Sequence, residues 1–360
     1  MKKTLFTIGP TEMYERTKEV RKEGIPYFRN ADFSALMLET DKMLKDCMKT
    51  AQSSKTVYLT ASGTAGLEAT VDNLIGSNDR VLVVVGGGFG ERFSQICGIK
   101  GIEHDDIIVK RDETLTWDHF VPFLDKEYKA VLVNLHETSS GQLYDISLFQ
   151  RFCEGRDTLL IVDAISTFLC DPFEMDAWGI DVTIISTQKG LCVSPGMSMI
   201  VLNERAAAAV KPSEEMQNLY FDFNDYFKNM ERGQTPYTPA VGICYEIHDM
   251  LKGITENGLE SKLKEVADRT KAFRETVVTE GISFPSFPCS NAITTVIFEQ
   301  PLAKEVEQEL ISRYGFVINP SGGEIGQYRF RVSHVGALSV EDTIKCANAI
   351  KEIYNEKSGK

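Results

Sequence analysis

The most informative segment of the chain is Asp181-Val182-Thr183-Ile184-Ile185-Ser186-Thr187-Gln188-Lys189-Gly190. Its first residues are mostly apolar or β-branched, which is the pattern of a strand buried on both faces. The strand then runs into small polar residues and Lys189. A lysine is costly to bury unless it has a partner or a chemical role, and a desolvated amine is a good nucleophile toward carbonyl groups. For Lys189 taken alone, a surface lysine in a turn is the alternative.

Further apolar runs are typical of buried strands, and helical patterns separate several of them. These runs are residues 56–60, 80–85, 130–135, 158–163 and 197–202. The alternation predicts an α/β fold with a mainly parallel sheet that is covered by helices on both faces. Ligands of such sheets bind beyond the carboxyl ends of the strands, where the polar clusters of this chain lie.

The pattern changes after about residue 253. Two short strand patterns alternate there with amphipathic helical patterns, which predicts a smaller α+β domain. Residues 1–10 are predicted to form an extended arm that ends at Gly9-Pro10. The expected organisation is therefore an N-terminal arm at 1–14, a large domain at 15–255 and a small C-terminal domain at 256–360.

Composition and charge limit the classes of function. The formal net charge of −13 argues against a surface for nucleic acid or anionic membrane. The eight cysteines show no Cys-x-x-Cys pattern and no Cys/His ligand spacing, which predicts reduced thiols, no disulfide framework and no metal site. No apolar run approaches the ~20 residues of a membrane-spanning helix, and the N-terminus lacks a signal peptide. We expect a soluble cytoplasmic protein.

Two turns are candidates for holding a flat, phosphorylated ligand. Ser62-Gly63-Thr64 follows a predicted strand and precedes a helix, so free N–H groups of the helix are available for a phosphate. Phe89 follows another strand and could stack on a ring. An ordinary strand–helix turn and an ordinary packed phenylalanine are the alternatives.

Three charged residues suggest the chemistry. Asp163 ends an apolar run, and a carboxylate there could keep a pyridine nitrogen protonated; a helix N-cap is the alternative. Arg331 lies in a short strand of the small domain, where its guanidinium could grip a carboxylate or form an ordinary salt bridge. Together, an acid at one strand end and a lysine at another are what pyridoxal 5'-phosphate (PLP) requires.

Motifs spread over nearly the whole chain resemble those of the class V aminotransferases. They are Gly9-Pro10-Thr11, Ser62-Gly63-Thr64-Ala65-Gly66-Leu67-Glu68-Ala69, Gly88-Phe89-Gly90-Glu91-Arg92, Glu137-Thr138-Ser139-Ser140-Gly141, Val162-Asp163-Ala164, Ser186-Thr187-Gln188-Lys189-Gly190, Pro195-Gly196, Tyr237-Thr238-Pro239 and Phe330-Arg331-Val332. The chain is most similar to the group of alanine–glyoxylate, serine–pyruvate and 2-aminoethylphosphonate–pyruvate transaminases. The resemblance implies the aspartate-aminotransferase-like fold type I, with a seven-stranded sheet in the large domain.

The resemblance also implies residue roles. Lys189 would form the Schiff base with PLP and act with Asp163 in catalysis. The other cofactor-binding residues would be Ser62, Gly63, Thr64, Phe89, Thr138, Ile165 and Gln188, with Tyr237 and Thr238 contributed by the partner subunit of a homodimer. Arg331 would bind the substrate carboxylate, and Arg29 is a candidate for a second anionic group.

The implied reaction is a ping-pong transamination from a small donor, of the alanine, serine or 2-aminoethylphosphonate type, to a 2-oxo acid such as pyruvate or glyoxylate. A PLP-dependent lyase or desulfurase of the same fold is the alternative. A desulfurase needs a cysteine on a mobile loop, and Cys289 is the candidate.

Overall fold

The computed structural model describes residues 3–22 and 24–359, so the first two residues of the predicted arm lie outside the described residues. The helices are α1 (Glu15–Glu19), α2 (Ala31–Met48), α3 (Gly63–Leu74), α4 (Glu91–Lys100), α5 (Ile146–Cys153), α6 (Glu204–Ala208), α7 (Phe223–Met230), α8 (Val241–Asn257), α9 (Leu259–Val277), α10 (Ala303–Glu309) and α11 (Val340–Ser358). The strands are β1 (Thr4–Leu5), β2 (Lys55–Leu59), β3 (Arg80–Val85), β4 (Glu103–Ile108), β5 (Ala130–Asn134), β6 (His136–Glu137), β7 (Gln142–Leu143), β8 (Leu159–Asp163), β9 (Val182–Ser186), β10 (Ser198–Leu202), β11 (Ile282–Ser283), β12 (Ile293–Phe298), β13 (Phe316–Val317), β14 (Asn319–Pro320) and β15 (Arg329–Ser333).

The main sheet has seven strands in the order β2-β10-β9-β8-β5-β3-β4. Only β10 runs against its neighbours, so the carboxyl ends of the other strands meet at one edge. The predicted mainly parallel seven-stranded sheet is confirmed. Its edge strand β4 was absent from the strand patterns noted in the sequence. Four of its six residues are polar, and all four are at least partly exposed.

Alternate residues of the central strands pack into two apolar layers. In β3, Leu82 and Val84 belong to a core that includes residues of α2 and α8. Val81 and Val83 belong to a second core with residues of α3 and α4. Strands between two helical layers have no solvent-facing side, which explains why their sequences read as continuous apolar runs.

A second sheet of four antiparallel strands, in the order β11-β12-β15-β14, lies toward the C-terminus. It shares a separate apolar core with α9, α10 and α11. The N-terminal arm is attached to this part, since β1 pairs with β13 and Phe6 is buried in the same core. The domain boundaries at residues 15 and 256 stay a prediction. Within the two described ranges, no helix is long and apolar enough to cross a membrane.

Candidate active site

A cavity of about 350 Å³ lies at the edge of the main sheet where the parallel strands end. It brings together ten of the residues that the sequence singled out. They are Ser62, Gly63, Thr64, Phe89, Thr138, Asp163, Ile165, Gln188, Lys189 and Arg331. The rest of the lining consists of Ile8, Gly9, Arg92, His136, Ser166, Ser186 and Asn319. Residues separated by more than 300 positions therefore line one cavity, as expected for the carboxyl edge of a parallel sheet.

Lys189 and Asp163 are both buried at the floor of this cavity. Asp163 is the last residue of β8, and Lys189 follows the end of the adjacent β9. Burial lowers the pKa of Lys189 to about 8, with Arg92 and Arg331 acting in the same direction and Asp163 opposing. Burial raises the pKa of Asp163 to about 6, against the N–H of Ile165 and the charge of Lys189. The cavity thus lowers the cost of removing the lysine's proton near neutral pH.

The first turn of α3 forms one end of the cavity. Its N-cap, Ser62, makes no side-chain cap hydrogen bond, so the first N–H groups of the helix stay open to a ligand. A larger residue at Gly63 would displace the side chain of Ile165, because a Cβ atom would lie 2.5 Å from its Cδ1. The Arg92 guanidinium donates to the Thr64 hydroxyl at 3.0 Å and brings a positive charge to this end.

The Phe89 ring lies close to two basic side chains. The Arg92 guanidinium carbon is 4.5 Å from the ring centroid, and Nζ of Lys189 is 5.3 Å from it. Contacts of this kind favour a fixed ring orientation. The ring therefore lies beside the lysine amine, where it can cover a flat ligand.

Arg331 forms the other end of the cavity. One terminal nitrogen donates to the carbonyl oxygen of Thr138 at 2.8 Å and the other to that of Pro320 at 2.7 Å. Its buried Nε has no hydrogen-bond partner among the described residues. Burial lowers the pKa of this guanidinium, and Glu137 opposes the shift. A buried donor without a partner is ready for an anionic ligand group.

His136 presents an unpaired acceptor to the cavity. Its Nδ1–H donates to the carbonyl oxygen of Ser166 at 3.2 Å, and the buried Nε2 has no partner in the part of the chain that the structure describes. Burial lowers the pKa of the imidazole to about 3, so the ring is neutral. Nε2 can therefore accept a hydrogen bond from a ligand.

Three predicted residues lie outside this cavity. The Arg29 guanidinium donates to the carbonyl oxygens of Thr235 and Pro236, at 2.7 and 3.0 Å. The Tyr237 hydroxyl donates to the carbonyl oxygen of Leu219 at 2.9 Å, and Thr238 is exposed. Arg29 thus supports the loop that carries Tyr237 and Thr238. Their roles toward a ligand stay predictions.

Cys289, the candidate desulfurase cysteine, also lies outside the cavity. Its thiol donates to the carbonyl oxygen of Phe287 at 3.3 Å. Burial raises the thiol's pKa, with Arg274 opposing, so the thiolate that a desulfurase needs is disfavoured.

Several lining residues were not assigned a role from the sequence. Arg92 stood in a quoted motif, three residues after Phe89 on the next helical turn, and this spacing could have indicated it. His136 and Asn319 had no comparable signal. Asn319 reaches the cavity because its side-chain oxygen accepts the N–H of Ile8 at 2.8 Å, a contact across 311 positions.

The polar groups of the cavity fit PLP. The open turn at Ser62 and Gly63 and the adjacent Arg92 suit a phosphate, and Asp163 suits a pyridine nitrogen. The hydroxyls of Thr138 and Ser186 are buried without a partner among residues 3–22 and 24–359, which leaves donors for a ring oxygen and a phosphate. Lys189 supplies the amine that joins an aldehyde.

Comparisons with known proteins agree with this fit. The family model described as aminotransferase class-V matches residues 22–324. The chain is 29% identical to an uncharacterized aminotransferase of Methanocaldococcus jannaschii, over 98% of this chain and 94% of that protein. It is 26% identical to the serine–glyoxylate aminotransferase of Methylorubrum extorquens, over 93% and 87% of the two chains.

A solved structure gives the same result for the fold. The alanine–glyoxylate aminotransferase of Nostoc superposes with a TM-score of 0.91 at 24% identity, over 98% of this chain and 96% of that one. The predicted fold type I is thereby confirmed. With the family match over residues 22–324, the chain belongs to the class V aminotransferases and is a PLP-dependent enzyme.

Proposed function

We propose that this aminotransferase moves the amino group of a small donor, of the alanine, serine or 2-aminoethylphosphonate type, to glyoxylate or pyruvate. The observation that carries the proposal is the single cavity lined by Lys189, Asp163 and Arg331. Its volume of about 350 Å³ lies in the range of small-molecule and cofactor sites. The similarity to a serine–glyoxylate aminotransferase supports the acceptor class.

The protein's contribution is to bind and orient the reactants. Bound PLP supplies an electron sink for the bond that breaks at the substrate's α-carbon. Asp163 would hold a proton at the ring nitrogen, and Phe89 and Ile165 would cover the ring. The turn at Ser62–Thr64 and the amide of Gln188 would hold the phosphate, while Thr138 would donate to the ring hydroxyl oxygen.

Lys189 and Arg331 act on the substrate. Arg331 binds the carboxylate and thereby fixes the orientation of the α-carbon. The amine of Lys189 would remove the proton from the substrate's α-carbon and hold it for return. A lysine with its pKa lowered to about 8 does this more readily near neutral pH, since about a tenth of it is neutral at pH 7, against less than about a thousandth of a free lysine.

The pH dependence of Lys189 provides a test. We expect the rate at which PLP joins the cofactor-free protein to rise with pH and to level off above about pH 8. The reason is that only the neutral amine attacks the aldehyde, and burial lowers the pKa of this amine. Stopped-flow absorbance above 400 nm measures the rate. The control is N-acetyl-lysine amide, whose rate should keep rising toward its pKa near 10.4; the same profile for the protein would contradict the prediction.

The donor is identified by a half-reaction screen. Alanine, serine, aspartate, glutamate and 2-aminoethylphosphonate are added singly to the PLP enzyme, without an acceptor, while the band above 400 nm is followed. We expect a small α-amino acid or the aminophosphonate to bleach the band, and glyoxylate or pyruvate to restore it. Release of sulfide from added cysteine in the presence of a thiol reductant, or of an aldehyde from serine without an acceptor, would instead indicate a desulfurase or lyase. If no donor bleaches the band, the proposed substrate class is wrong.

We also infer that the enzyme is a cytoplasmic homodimer with shared active sites. The apolar residues Ile25, Tyr27 and Leu219 are 64, 70 and 75% exposed in the single chain. Leu219 contacts Tyr237 through its carbonyl oxygen, so this surface adjoins the loop proposed to enter the partner's site. Eight unpaired cysteines are consistent with a reducing compartment.

A further inference from the structure

Glu137 is a buried carboxylate to which none of the roles above has been given. Its side chain is fully inaccessible to solvent. It lies in β6, between the main sheet and the turn that carries Thr138. Burial of a carboxylate is costly unless hydrogen bonds replace the lost water, so the partners of Glu137 indicate what it does.

One carboxylate oxygen holds the loop that carries the stacking ring. Oε2 accepts the backbone N–H of Phe89 at 3.2 Å and that of Gly90 at 3.0 Å. It also accepts the side-chain amide of Asn134 at 3.0 Å. Asn134 ends β5 and pairs in register with Asp163. Oε2 therefore ties the Phe89 loop to the strand beside Asp163.

The other oxygen holds the turn at the substrate end. Oε1 accepts the backbone N–H of Ser139 at 2.9 Å and the Ser139 hydroxyl at 2.6 Å. In the same turn, the carbonyl oxygen of Thr138 accepts a hydrogen bond from the Arg331 guanidinium at 2.8 Å. The Glu137 side chain thus connects the loop that carries Phe89 to the turn whose carbonyl oxygen accepts Arg331.

Close packing limits how these two segments can shift. At Gly87, a Cβ atom would lie 2.2 Å from the hydroxyl oxygen of Ser139 and 2.7 Å from the carboxyl carbon of Glu137. The backbone of the loop at residues 86–90 can therefore approach the carboxylate this closely only because Gly87 has no side chain. Close packing, together with hydrogen bonds to both carboxylate oxygens, favours a single geometry.

We propose that Glu137 is a positioning residue that sets the Phe89 ring relative to Thr138 and Arg331, and so fixes the angle between the bound cofactor ring and the substrate carboxylate. This inference rests on the proposed function of the cavity. It assigns to Glu137 a role that is distinct from touching either ligand. The five donors on its two oxygens are the physical basis of that role.

The test is Glu137→Gln in the full-length enzyme. An amide keeps the shape but turns one acceptor oxygen into an NH₂ group, which then faces N–H donors. We expect the dissociation constant for PLP to rise about tenfold or more, the size of losing hydrogen bonds to a buried charge. The visible circular dichroism of bound PLP should fall, because the ring is held less firmly, and KM for the amino donor should rise.

Glu246→Gln is the matched control. Glu246 is equally buried and accepts the Ser194 N–H at 2.7 Å, the Ser194 hydroxyl and Arg21, but it does not line the cavity. We expect this variant to keep the affinity for PLP and the visible circular dichroism of the wild type, even if its unfolding temperature falls. Equal losses of affinity in both variants would show a merely structural role and overturn the proposal.

A milder variant covers the case in which Glu137→Gln does not fold. Ser139→Ala removes one donor and should weaken PLP binding about threefold, in line with a single hydrogen bond. Unchanged affinity and circular dichroism in a folded variant would overturn the proposal. If the wild type binds PLP and responds to a donor while the variants match it, the inference alone fails. If the wild type responds to no donor, the proposed function fails, and the inference with it.

Discussion

Lys189→Ala is expected to lower transamination by at least about 10⁴-fold, because the change removes both the amine that joins PLP and the base that moves the α-proton. The cavity should still bind PLP through the phosphate turn and Asp163, so the cofactor is retained more weakly. Borohydride treatment followed by mass spectrometry measures the covalent adduct, which should be lost. Coupled assay of the 2-oxo acid product measures the rate.

A second buried lysine provides the control. Lys262 is 5% exposed and donates to the Tyr14 hydroxyl at 2.8 Å, but it does not line the cavity. Lys262→Met should keep the borohydride-reducible adduct at Lys189. A reducible adduct and turnover in Lys189→Ala would show that another lysine performs the chemistry, and the assignment would be wrong.

Asp163→Asn is expected to lower kcat by about 10²–10³-fold, the usual effect of removing one preorganised charge from an active site. An amide cannot hold a positive charge at the ring nitrogen, so the electron sink is weakened. The side chain keeps its shape and can still accept the N–H of Ile165, now 2.8 Å from the carboxylate. Single-turnover bleaching of the PLP band by the donor measures the effect.

Asp171→Asn is the control for this variant. Burial raises the pKa of Asp171 to about 6, as it does for Asp163. Its partners, however, are the hydroxyl of Ser290 and the N–H of Asn291, away from the cavity. We expect Asp171→Asn to change stability but to leave the bleaching rate within a few-fold of the wild type, the range of a distant change. A loss of rate equal to that of Asp163→Asn would contradict the role of Asp163.

The sheet was predictable wherever strands are buried on both faces. The runs at 80–85 and 130–135 are continuous in apolar residues, and β3 (Arg80–Val85) and β5 (Ala130–Asn134) form there. β4 (Glu103–Ile108) escaped notice because four of its six residues are polar and at least partly exposed. Burial leaves an apolar signal in the sequence, as in the other edge strand β2, whereas backbone pairing of an exposed strand does not.

The residues of the cavity also differ in how far the sequence predicted them. Lys189 and Asp163 were predictable because a charged side chain at the end of an apolar run is costly to bury and so implies a partner or a chemical role. Glu137 and His136 stand among other polar residues, where a charge or an imidazole is not unusual. Their importance appears only when their partners, such as Phe89 and Ser166, are known.

Local sequence was therefore enough to predict the parallel sheet and to select Lys189, Asp163 and the turn at Ser62–Thr64 as candidates, because each depends on a few adjacent residues. The tertiary structure alone decided that the amine of Lys189 has a lowered pKa and that Glu137 joins the Phe89 loop to the turn under Arg331. Burial and hydrogen bonding across long separations cause both effects. The lysine at the end of Asp181–Gly190 can be read in the sequence, but the geometry that makes it reactive is a property of the fold.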